Sequence, residues 1–201
     1  MVRIEPAGLH DLPGAYRACL LTGHVGQDAT SLYGDPDLLG HVYVGPYLAA
    51  GTGTQLVVMD EGGVAGYLLS TDDTLVFEAW AEEAWWPPLR QRYPLVDDGS
   101  RDAELIGLIH APASTPPELA RAFPAHLHID LLERVRGRGL GRALIERLLT
   151  DLRGRGVTGV HMGVDPSNTE AIGFYVHLGF REVGRGPGEL RLGFSLGPDR
   201  G

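Results

Sequence analysis

Six residues, Arg136-Gly137-Arg138-Gly139-Leu140-Gly141, constrain this chain more than any other stretch. They follow a β-rich run, Leu127 to Leu132, and feed a helical stripe of Leu140, Leu144, Ile145, Leu148, Leu149 and Leu152 that stops at Gly154 and Gly156. A second short strand is expected over Val157 to Val164. Strand, glycine loop, helix and strand make a βαβ crossover, which commits the chain to a parallel strand pair in an α/β fold. A glycine loop that enters a helix N-terminus aims free backbone N–H groups at one spot, a natural anion site. Arg136, Arg138 and Arg142 add positive charge around it.

Three anions use such loops. A nucleoside triphosphate is excluded, because the loop lacks a Gly-Lys-Ser/Thr ending and the chain contains no lysine. A dinucleotide fits poorly, because the third glycine of that fingerprint falls on Arg142 and the motif comes late in the chain. The third is coenzyme A. Here the pattern Arg136-x-x-Gly139-x-Gly141 resembles the pyrophosphate loop of the GNAT superfamily of N-acetyltransferases. A second pattern, Asn168-x-x-Ala171-x-x-Phe174-Tyr175 followed by Leu178-Gly179-Phe180, resembles that family's other cofactor-side signature. Cys19-Leu-Leu-Thr-Gly-His, Gly26-Gln-Asp-Ala-Thr, Tyr33-Gly-Asp-Pro-Asp-Leu-Leu-Gly and His128-Ile-Asp130 extend the likeness. They resemble the acetyltransferase-like domain attached to animal O-GlcNAcase and its free-standing bacterial relatives.

The resemblance implies a GNAT fold: a mixed, twisted central sheet splayed between two parallel strands, with helices on both faces. It implies acetyl-CoA as cosubstrate, held by Arg136, Gly137, Arg138, Gly139, Leu140, Gly141 and Arg142, with Asn168, Ala171, Phe174 and Tyr175 beside it. It also implies that backbone N–H groups near Leu131 and Leu132 hold the acetyl carbonyl and that Tyr175 serves as the acid. Acetyl transfer to an amine also needs a base. Strand alternation places His126, His128 and Asp130 on one face, and Asp130 is the first choice. Asp165, at the end of the next strand, is the second, although Asp-Pro-Ser-Asn is also a good turn. Metal ligation by His126, His128 and Asp130 with His161 is another use of that face. No further ligand spacing supports it, and no metal is expected.

Elsewhere the chain reads as one domain over residues 1–201. A strand is expected at Val2 to Glu5, a helix from Asp11 to Leu21, a helical run from Asp37 to Ala49, and a hairpin of Gln55 to Met59 with Val64 to Ser70. Phe77 to Arg92 reads as a helix interrupted by Pro87-Pro88, with Trp80, Trp85 and Trp86 free to form a homodimer interface or to cover the core. Beyond it, up to Pro124, only Leu105 to His110 shows a pattern. Ser167 to Glu170 reads as a capping box, and two strands close the chain across Gly186-Pro187-Gly188. Tyr33, Asp35, Tyr47 and His128 are the candidate acceptor wall.

The formal charge of −9, concentrated in the first half, argues against a nucleic-acid binder. No apolar run approaches the roughly 20 residues of a membrane span, so a cytoplasmic protein is expected; the resemblance implies a small-molecule or peptide amine as acceptor. The lone Cys19 cannot form an internal disulfide. A non-catalytic module that binds acetyl-CoA as a sensor or recruiting domain is the alternative, and the residues alone leave it open.

Overall fold

The computed structural model describes residues 1–197. In chain order the elements are β1 (Arg3–Pro6), α1 (Leu12–Leu20), α2 (Leu38–Tyr43), α3 (Gly45–Ala50), β2 (Gln55–Asp60) and β3 (Gly63–Thr71). Next come α4 (Thr74–Trp80), α5 (Trp86–Arg92), α6 (Arg101–His110), α7 (Pro117–Ala122) and β4 (Ala125–Leu131). The chain closes with α8 (Leu140–Gly154), β5 (Gly159–Val164), α9 (Thr169–His177), β6 (Arg181–Gly186) and β7 (Glu189–Ser195).

The strands form one mixed sheet in the order β1-β2-β3-β4-β5-β7-β6. Only β4 and β5 run parallel, and they pair at Ala125↔Val160 and His126↔His161 alone. β4 stays in register with β3 along its length, from Thr71↔His126 to Gly66↔Leu131, while β5 follows β7. The two halves of the sheet therefore part after His126, leaving Leu127 to Leu131 without a neighbour on the β5 side. At about 3.3 Å per residue this opens a wedge roughly 16 Å long.

Helices cover both faces. Ala15, Ala18 and Cys19 of α1 are buried, and Gly14 meets Val64 of β3 so closely that an added Cβ would lie 2.6 Å from it. On the opposite face α8 buries Leu144, Ile145, Leu148, Leu149 and Leu152, each worth roughly 1.5–3 kcal/mol of transfer free energy.

Three sequence readings change, and for the tryptophans the structure matches the second of the two alternatives. The run from Asp37 to Ala49 is two short helices broken at Val44, because Pro46 cannot donate to the turn before it. The helix from Thr74 to Arg92 is not interrupted by Pro87-Pro88. Its backbone widens into a π turn over Ala81–Trp85, closed by Trp86 N–H on the Ala81 carbonyl, and the prolines sit in the first turn of α5, where no N–H is required. The tryptophans turn inward: Trp86 is buried, and Trp85 donates Nε1–H to the His41 carbonyl at 2.9 Å. Finally, the cap of α9 is Asn168, whose side chain accepts Ala171 N–H at 3.1 Å, while Ser167 spends its hydroxyl on Asp165.

Candidate active site

The wedge has a phosphate-loop end and a cavity end. At the loop end, Gly137 and Gly139 adopt φ of 71° and 76°, a conformation that favours glycine. A Cβ at either would meet nothing within 4 Å, so the space above the loop is open. Gly139 is the N-cap of α8 and brings no capping side chain, which leaves the first-turn N–H groups of the helix without one. Gly141 serves another purpose, since a Cβ there would lie 3.1 Å from the Phe174 ring and would push α9 away. An open, N–H-lined cradle beside an unpaired strand edge suits a pyrophosphate and the amide-bearing arm of coenzyme A.

The arginines of the loop divide. Arg138 is exposed and makes no ion pair among the described residues, and Arg142 stands 3.7 Å from Glu146. Arg136 is turned onto the protein: Nε donates to the Leu131 carbonyl at 2.7 Å and Nη2 to the Gly26 carbonyl at 2.6 Å. It pins the turn at Gly26 across the end of β4 instead of reaching outward. The expected pair of acetyl-carbonyl donors is also corrected in part. Leu132 gives its N–H to the Ala65 carbonyl at 2.8 Å, so by strand alternation the N–H groups of Leu131 and Ile129 face the wedge instead.

Asp130 lies directly across from Tyr67 and accepts its hydroxyl at 2.5 Å. Burial pushes the Asp130 carboxyl up to about 6, against the pull of hydrogen bonds from Tyr67 and Thr22 and of the Arg136 charge. A buried carboxylate with that value is a competent base at neutral pH. Tyr175 is buried beneath the loop, its ring edge-on to Phe174 and Phe180. Its hydroxyl makes no hydrogen bond among the described residues, and burial first, then the Asp130 charge, raises its phenol well above the usual range. Asp165 is a weaker base than expected. It is exposed, and the hydroxyl and N–H of Ser167, at 2.6 and 2.8 Å, hold its carboxyl below the usual range.

At the other end, β4, β5 and α2 to α7 line a cavity of about 820 Å³. Of the proposed acceptor wall, Tyr47 and His128 line it. Tyr33 and Asp35 do not: their segment is tied to the start of α6, with Gly34 and Asp35 N–H on the Asp102 carboxylate and Asp35 accepting Tyr93. The cavity instead recruits Phe77, Glu78, Glu82, Trp86 and Leu108, from stretches that the sequence marks as helical without giving them a role in the site. Ser100, which caps α6 by accepting Ala103 N–H at 3.1 Å, was the available signal there, with Leu105, Ile106 and Ile109 buried at helical spacing behind it.

Among the described residues, no group of three His, Cys, Asp or Glu side chains is placed to hold a metal. His126 spends both ring nitrogens, on Tyr47 at 2.5 Å and Thr74 at 2.8 Å, and His161 uses Nδ1 on the Phe123 carbonyl. Among the described residues, no helix is long and apolar enough to cross a membrane.

The sequence pattern of the Acetyltransferase (GNAT) family matches residues 66–180, the stretch that carries β3, β4, the glycine loop and α9. The chain belongs to the GNAT acetyltransferase family. Among relatives of this GNAT chain, Protein O-GlcNAcase of Rattus norvegicus is 30% identical over 154 residues, which are 75% of this chain and 17% of that much longer protein. The [Ribosomal protein bS18]-alanine N-acetyltransferase of Escherichia coli is 49% identical over 45 residues, 22% of this chain and 30% of its own. The crystal structure of SsHAT superposes with a TM-score of 0.89 at 37% identity, covering 98% of this chain and 99% of that one. The fold is also that of yncA from Salmonella typhimurium, solved with its cofactor acetyl-CoA, at a TM-score of 0.55 and 18% identity over 100% of this chain and 97% of that one.

Proposed function

We propose that this GNAT protein is an acetyl-CoA-dependent N-acetyltransferase that acts on a primary amine. The observation that carries the reading is the pairing of Asp130, a buried carboxyl raised to about 6, with the unpartnered hydroxyl of Tyr175 at the open wedge. Bound acetyl-CoA supplies the activated acetyl thioester. The N–H groups of Leu131 and Ile129 face the place where charge develops on its carbonyl oxygen.

Asp130 takes the proton that the amine sheds as its nitrogen bonds to the acetyl carbon. Tyr175 gives its proton to the sulfur as the carbon–sulfur bond breaks, and return of the Asp130 proton to Tyr175 through solvent resets both. The two groups are coupled, because protonating Asp130 removes a charge that makes the Tyr175 phenol a weaker acid. The competing reading, a module that holds acetyl-CoA without turnover, uses the same cradle and needs neither group.

Isothermal titration with acetyl-CoA and with CoA, repeated on Gly139→Trp, tests the cradle. Product assays on wild type and Tyr175→Phe test the chemistry. Binding that Gly139→Trp abolishes, with turnover that Tyr175→Phe removes, supports an enzyme. Binding with no acetylated product from any amine supports the sensor.

A further inference from the structure

The cavity end of the wedge carries a chain of hydrogen bonds whose direction can be worked out. Thr74 has one hydroxyl proton and gives it to the Pro124 carbonyl at 2.7 Å. Its oxygen also lies 2.8 Å from His126 Nδ1, so Nδ1 must carry the proton in that contact. Burial holds His126 well below its usual range, followed by repulsion from His128 and His161, so the ring is neutral and its Nε2 is an acceptor. The Tyr47 hydroxyl, 2.5 Å from that Nε2, is therefore the donor. Its own oxygen lone pairs are left for something else. Stacking on Phe77, with ring centres 4.5 Å apart, fixes the ring that carries them.

Beside it stands His128, packed between the rings of Tyr43 and Tyr47 at 5.5 and 5.3 Å. It has no hydrogen-bond partner among the described residues, and neither ring nitrogen is among the buried unsatisfied atoms, so the ring faces the cavity with a free acceptor. Burial lowers it to about 4, which keeps it uncharged. Two acceptors without donors thus meet at the floor of one cavity, and the groups there do not repel a cation.

The walls agree. Glu82 and Glu189 are paired with Arg90 and Arg191, but among the described residues Glu78 and Asp165 have no cationic partner and accept only from the neutral donors of Thr115 and Ser167. Tyr43, Phe77 and Trp86 line the same cavity, so a ligand there meets aromatic as well as acidic side chains. A volume of about 820 Å³ is within the range of small-molecule sites.

We propose that the acceptor is a small hydrophobic primary amine, an arylalkylamine that arrives as its ammonium and loses one proton to solvent before its nitrogen attacks, with its ring against Tyr43, Phe77 and Trp86. Its nitrogen is received by the Tyr47 oxygen and the free His128 nitrogen. This rests on the acetyltransferase reading for its chemistry, but not for its binding. Thr74 and His126 act as positioning residues, because they fix which way the Tyr47 hydroxyl points.

The test pairs turnover with direct binding, using 2-phenylethylamine, n-hexylamine, a lysine-containing hexapeptide and phenylalanine, whose carboxylate the acids should reject. Wild type should favour 2-phenylethylamine over the hexapeptide by about tenfold or more in kcat/KM. Tyr47→Phe should raise KM for 2-phenylethylamine about tenfold, as expected for a lost hydrogen bond to a charged group, with kcat and acetyl-CoA affinity little changed. Thr74→Val should move KM in the same direction, and Thr74→Ser should restore it. Titration of 2-phenylethylamine into the CoA-loaded protein reads the subsite even if no product forms, so failed chemistry and a failed subsite are told apart. Preference for the hexapeptide, equal use of phenylalanine, or a Tyr47→Phe protein that binds 2-phenylethylamine as wild type does would overturn the proposal.

Discussion

The two ends of the wedge are built from different materials. The phosphate-loop end is backbone: glycines at positive φ, uncapped helix N–H groups and an unpaired strand edge, all within residues 127–142. The cavity end is side chains, brought together from α2 to α7, β4 and β5 across more than a hundred residues of sequence. Backbone chemistry needs particular residues at fixed spacing, whereas a side-chain wall can be assembled from any element that the core brings near. A backbone cradle and a side-chain wall can therefore share one fold and change independently.

The sharpest break of this division is at Gly139. Tryptophan there must adopt φ near 76° and fill the cradle, so acetyl-CoA affinity should fall by at least 100-fold in calorimetry, with 2-phenylethylamine binding retained. Tyr175→Phe should cost roughly 10²–10³ in kcat while leaving the acetyl-CoA dissociation constant within about twofold, separating chemistry from grip. Binding lost together with turnover would make Tyr175 a packing residue.

A third test uses pH. In the proposed mechanism Asp130 works ionised, so kcat/KM should rise with pH through about 6 and then level, and Asp130→Asn should lose that limb. The folded value lies above the usual 3.8, so the native state holds the proton more tightly than the unfolded chain does. Ionised Asp130 therefore lowers stability as pH climbs from about 4 through about 6. At pH 8 Asp130→Asn should melt no lower than wild type while turning over far more slowly, the mark of a group kept for chemistry. The smallest effect is Asn168→Ala, which removes the α9 cap and should cost about 1 kcal/mol in denaturant unfolding with no change in KM for the amine.

The same division decides what could be read from sequence. The βαβ unit, the hairpin turning at Gly63 and the stripe of α8 all depend on local periodicity and on glycine where φ requires it, and these were legible. Tyr47 and His128 were legible as candidates because one is an aromatic in an amphipathic run and the other part of an alternating ionisable face. Their hydrogen-bonding direction was not, since it depends on Thr74, far away in sequence. Arg136 misled because its charge suggested phosphate, while the carbonyls of Leu131 and Gly26 lay closer. Phe77, Glu78 and Trp86 were legible as helical but not as cavity wall, and the break expected at Pro87-Pro88 is absorbed by a π turn.

A sheet whose halves touch at two residue pairs has a mechanical seam. β1 to β4 and β5 to β7 are each stitched along their full length, yet only Ala125↔Val160 and His126↔His161 join one plate to the other by sheet pairing. Strain between the plates then concentrates at that short stitch. Amide exchange should show each plate losing protection as its own cooperative block, with the seam, rather than either edge strand, setting how far they move apart.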